Sequence, residues 1–166
     1  MGCTTRPNCA FGFLMNNSDE LYRELKPDIF SLSDPLFEVT QGFVRNQDDF
    51  LPHGAVLTAS GDIRMVMAGP PEAEKRLVSA PEVLPVLHVA LRAAARAENL
   101  RAIAVCESVT IVRDGGKKSL AIKVLIEHKR GLCTALYLPY NRGWLGTCTF
   151  GDAFAKPATP EVCPWG

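Results

Sequence analysis

Three stretches of this chain, 101–113, 119–128 and 132–140, alternate apolar and polar positions with a period of two. That is the pattern of strands with one buried face. Short glycine-containing connections join them, so an antiparallel meander is expected. "DGGK" offers a two-residue turn at Gly115-Gly116, which pairs Ile111 with Leu120, Val109 with Ile122, Val105 with Ile126 and Ile103 with His128. "HKRGL" suits a three-residue loop with Gly131 in the left-handed conformation, pairing His128 with Leu132, Val124 with Leu136 and Ile122 with Leu138. The two registers agree on one apolar face, carrying Ile103, Val105, Val109 and Ile111 beside Ile122, Val124, Ile126, Leu136 and Leu138. The opposite face holds smaller residues, among them Cys106, Ala121, Leu125, Cys133 and Ala135. An open face usually carries more charge, so a second cover is expected there: a helix, the aromatic tail or another chain.

Elsewhere the period changes. Leu84, Leu87, Leu91 and Ala94 recur at helical spacing, predicting a helix over 83–98 that covers the apolar face. His88 lies beside that stripe and reads as a boundary residue. Ser18 followed by "DELYRELK" predicts a shorter helix over 18–26, stopped by Pro27. Residues 27–35 read as loop and 37–44 as a strand. "GAVLTASGDIRMVMAG" is a hairpin turning at Ser60-Gly61, and "PPEAEKRLVSAPE" is a polar connector. Residues 1–17 read as an irregular leader, with Met15 a possible second start. Residues 18–140 form one domain, and 141–166 an irregular tail anchored by Trp144, Phe150 and Phe154. The fold class is α+β, with an antiparallel sheet of about five strands and a long helix on one face.

Composition narrows the picture. The chain has 166 residues, enough to bury roughly 70% of its unfolded surface as one domain. Eighteen basic residues balance eighteen acidic ones, which leaves no electrostatic footprint for nucleic acid or an anionic membrane. No apolar run reaches the roughly 18 residues of a membrane span, so a cytoplasmic protein is expected. The six cysteines, Cys3, Cys9, Cys106, Cys133, Cys148 and Cys163, form no Cys-x-x-Cys pair, and His53, His88 and His128 are scattered. Free thiols are expected, with no metal and no cofactor. Cys106 and Cys133 fall two strands apart, too far for a disulfide.

A few side chains could carry chemistry. Glu107 falls mid-strand on the apolar face beside Val124, where a buried carboxylate must be paired or have a raised pKa and can mark a catalytic site, unless a β-bulge at Cys106-Glu107 turns it outward. Ser108, Lys123 and Tyr137 fall in one cross-strand row on the small-residue face, where a desolvated lysine beside a hydroxyl could act as a base. Glu127 and Cys133 are neighbours on that face and are candidates for ligand binding. His128 points to the other side, which argues against a Cys–His nucleophile. The glycine turns at 60–62 and 113–117 precede no helix that could cradle phosphate. Arg113, Lys117 and Lys118 cluster at one hairpin tip, Lys129 and Arg130 at the other.

Two likenesses add to this. "AIKVLIEHKRGLCTALYLPY" (121–140) resembles a segment of an uncharacterised bacterial family with the pattern AIxVxxEHxxG followed by PY; the resemblance implies no known activity. The order helix, hairpin, long helix and three-stranded meander is similar to the roadblock/LC7, profilin-like architecture. That resemblance implies a five-stranded antiparallel sheet, dimerisation and a scaffold or regulatory role without catalysis. The expectation is a non-enzymatic binding or assembly module that forms a homodimer through the long, weakly charged strand 101–113. The alternative is a small-molecule-binding protein or small hydrolytic enzyme with a pocket on the small-residue face.

Overall fold

The computed structural model describes residues 17–46, 49–71, 73, 76–162 and 165. Residues 1–16 of the expected leader 1–17, with Cys3 and Cys9, lie outside them, as do Cys163 and part of the 70–82 connector; Asn17 opens α1. The chain runs α1 (Asn17–Arg45), β1 (His53–Thr58), β2 (Ile63–Val66), α2 (Ala80–Ala97), β3 (Leu100–Val112), β4 (Lys118–His128), β5 (Cys133–Arg142), β6 (Cys148–Phe150) and β7 (Phe154–Pro157). The class is α+β, as expected. Among the described residues the antiparallel sheet has seven strands rather than five, in the order β2-β1-β3-β4-β5-β6, with β7 also on β5.

The extra strands come from the expected irregular tail. Thr149 pairs with Asn141, and Ala155 with Leu136, so two short strands share the outer side of β5. Phe150 and Phe154 anchor this tail on Tyr140 and Tyr137, whereas Trp144 is almost wholly exposed.

The largest departure is α1. The expected helix 18–26, loop 27–35 and strand 37–44 are one helix of 29 residues. A stripe of Leu25, Ile29, Leu32, Leu36, Thr40 and Val44 is buried along it. Pro27 and Pro35 lie off that stripe. Each removes a hydrogen bond to the carbonyl four residues back, Arg23 and Ser31, and both of those residues are exposed, where water can satisfy the carbonyl. Burial of the stripe outweighs about 3 kcal/mol per proline, since each large apolar side chain contributes roughly 1.5–3 kcal/mol.

α2 begins on a cap. Glu82 accepts the Ser79 N–H and hydroxyl, each at 2.8 Å, and Arg76 at 2.6 Å. The helix lies against β1 where Gly54 leaves room: a Cβ there would meet the Ala104 carbonyl at 2.5 Å and a Leu91 methyl at 3.2 Å. His88 is half-buried as a boundary residue, yet its Nε2 has no partner among the described residues.

The register of β4 with β5 is the expected one, with Ile122 opposite Leu138, Val124 opposite Leu136, and Gly131 at φ 87°. The register of β3 with β4 differs by one residue: Ile103 pairs with Glu127, Val109 with Ala121 and Ile111 with Ser119. The connection is a three-residue turn, Asp114–Gly116, closed by the Arg113 N–H on Lys117 O, with Gly115 and Gly116 both at positive φ. One extra loop residue moves every β3 side chain to the opposite face. Ala102, Ala104 and Cys106 therefore join Ile122, Val124, Ile126, Leu136 and Leu138, and this face is covered by α1, not by α2. Ile103, Val105, Leu125 and Ala135 form the second face. There Leu87 and Leu91 of α2 pack together with Val162 of the tail. The second cover is thus α2 and the tail together.

Candidate functional site

With β3 shifted by one, the cross-strand row on the α2 side is Glu107, Lys123 and Tyr137. Glu107 is neither on a bulge nor unpaired: the β3–β4 ladder runs unbroken through it, and its Oε1 accepts from Lys123 Nζ at 3.1 Å. Ser108 is removed from the row. It faces the α1 side, 3.2 Å from the Tyr140 hydroxyl.

Lys123 keeps only 14% of its side chain exposed, between Glu107 at 3.1 Å and Glu161 at 3.4 Å. Burial pulls its pKa down, but the Glu107 hydrogen bond and the two carboxylate charges outweigh it and hold the ammonium above its usual value. With its ammonium held charged, Lys123 offers no free lone pair near neutral pH. Tyr137 stacks on Phe154, with ring centroids 5.1 Å apart. Lys123, Tyr137, Thr159 and Glu161 border an open hollow of 420 Å³ between the sheet and residues 157–161.

Glu127 and Cys133 are opposite one another, as expected. Glu127 is 1% exposed, and its Oε1 accepts the backbone N–H groups of Glu161 at 2.6 Å and Val162 at 2.8 Å. Arg92 of α2 donates to the Val162 carbonyl at 2.8 Å. The carboxylate therefore clamps the tail to the sheet. Burial, with the Glu127 and Glu161 charges, pushes the Cys133 thiol up to about 12. It remains a thiol, not the thiolate a nucleophile needs.

His128 is on the α1 side. Its Nδ1 accepts the Arg130 N–H at 3.1 Å, which leaves Nε2–H to donate to Asp28 at 3.1 Å. Asp28 also takes Arg101 at 3.1 Å, joining α1 to the ends of β3 and β4. A second buried chain escaped the sequence reading: Thr40 Oγ1 lies 3.1 Å from His53 Nε2, 3.4 Å from Cys106 Sγ and 2.6 Å from Leu36 O. His53 Nδ1–H donates to Leu51 O at 2.9 Å, which leaves His53 Nε2 and Leu36 O as competing acceptors for the one Thr40 hydroxyl proton. Burial holds His53 below the usual imidazole pKa and pushes the Cys106 thiol up to about 12. The helical stripe from Leu25 to Val44, with Thr40 on it, was the available signal. Reading 37–44 as a strand hid it.

Among the described residues no group of three or more His, Cys, Asp or Glu is arranged to hold a metal ion, and no helix is long and apolar enough to cross a membrane. No family model, curated protein or solved structure matches this chain.

Proposed function

We propose that this chain is a non-enzymatic assembly or binding module that works as a homodimer joined through the outer edge of β3. What carries the reading is a free backbone ladder. β1 pairs with β3 only as far as Cys106, and among the described residues no strand pairs with that side of β3 from Ser108 to Val112. The segment Ser108-Val109-Thr110-Ile111-Val112 is uncharged, mostly β-branched and without proline. An edge of that kind recruits another strand unless it is blocked. Among the described residues the thiols of Cys106, Cys133 and Cys148 are free, which suits a reducing compartment and supports the cytoplasmic reading. Size-exclusion chromatography with light scattering tests the assembly. A mass twice that of the chain at micromolar concentration is expected, and a clean monomer there overturns the reading.

A second reading rests on the 420 Å³ hollow beside Lys123 and Tyr137, which could hold a small molecule with an acidic group. A thermal-shift screen of small carboxylic acids against the natural chain and Lys123→Met tests it. No stabilisation of either protein removes it.

A further inference from the structure

The direction of the β3 backbone groups fixes how a second copy would join, an inference that rests on the dimer reading above. Arg113 donates its N–H to Lys117 O and Lys129 donates to Arg101 O, so the odd-numbered residues of β3 aim their backbone groups at β4. Alternation along a strand turns the even-numbered ones the other way. Cys106 spends its groups on His53 of β1. Among the described residues, Ser108, Thr110 and Val112 therefore present free N–H and C=O groups at the open edge.

We infer that two copies pair β3 antiparallel across a two-fold axis at Thr110, with Glu107 of each copy opposite Arg113 of the other. Thr110 then pairs with Thr110 of the second copy, and Ser108 with Val112, each pair exchanging both hydrogen bonds. This register uses every free even-numbered residue. Shifting the axis to Val109 leaves Val112 without a partner, and shifting it to Ile111 leaves Ser108 without one. On the α2 side, Val109 falls opposite Ile111 of the second copy, a pair of β-branched side chains at the closer, non-hydrogen-bonded spacing.

Charge complementarity supports the same register. Arg113 is exposed, and its guanidinium has no hydrogen-bond or ion-pair partner among the described residues. Glu107 uses Oε1 for Lys123, while Oε2 has no partner among them. Glu107 and Arg113, the residue that follows β3, are both odd-numbered and fall on one face of the strand, six positions apart with Thr110 midway. An antiparallel partner strand brings unlike charges together twice, and such an interface is self-complementary.

Cysteine cross-linking tests the register separately from the dimer. Val109→Cys and Ile111→Cys proteins are mixed under mild oxidation, and the linked peptides are mapped by mass spectrometry. A 109-to-111 intermolecular disulfide is expected in the mixture, at least tenfold above 109-to-109 linkage in Val109→Cys alone. A dimer by light scattering without that linkage overturns the register and leaves the dimer standing; a monomer overturns both. Thr110→Pro removes an N–H that faces the open edge, so the β3–β4 ladder is untouched and a folded monomer is expected. If that variant does not fold, Arg113→Glu decides the matter. It is expected to weaken dimerisation about tenfold, and an unchanged dissociation constant counts against the Glu107–Arg113 pairing.

Discussion

Two buried side chains show how single residues hold this fold. His53 has a folded-state pKa below the usual 6.5 because burial disfavours its charged form. As pH falls below that value the unfolded chain takes up the proton first. His53 therefore supports the fold above pH 6.5, and that support is lost as pH falls towards its lower folded value. Urea midpoints at about pH 7.5 and about pH 5.5 should differ more in the natural chain than in His53→Asn; equal differences would place the acid loss elsewhere. Glu127 is the second case. Glu127→Ala leaves the Glu161 and Val162 N–H groups without their carboxylate and should cost about 1.5–3 kcal/mol by urea unfolding. Limited proteolysis should then cut the tail first; an unchanged digestion pattern would deny Glu127 its clamping role.

At the scale of elements, α1 shows that proline is a local rule which burial can override. The freed carbonyls of Arg23 and Ser31 belong to exposed residues, so the helix continues while its stripe stays on the sheet. Pro27→Ala restores a helical hydrogen bond at an exposed position and should raise stability by about 1–2 kcal/mol, after allowing for the greater freedom of the unfolded chain. A lower melting temperature would show that Pro27 shapes a bend the packing needs. The β3–β4 turn carries the opposite lesson. Gly115 and Gly116 announced a turn, but whether Asp114 belonged to the loop or the strand decided which helix each face of β3 would meet.

For the whole molecule, the sheet lies between α1 on one face and α2 with the tail on the other, while the far half of β3 extends past β1. A dimer joined there links folding to association. Its thermal midpoint should rise with protein concentration, and Thr110→Pro should abolish that dependence. A midpoint independent of concentration in the natural chain would point to a monomer.

The α+β class, the meander, the β4–β5 register and α2 were legible in the sequence, because periodicity and turn residues act locally. So was the pairing of Glu127 with Cys133, which follows from that register. The unbroken α1, the face of β3 and the strands of the tail were decided only in three dimensions. Pro27 argues for a stop until the sheet supplies a surface for Leu25 to Val44 to bury against. A one-residue choice in a glycine turn changes little locally, yet it inverts a whole strand. Glu107 became half of an ion pair for the same reason: only the true register sets Lys123 opposite it.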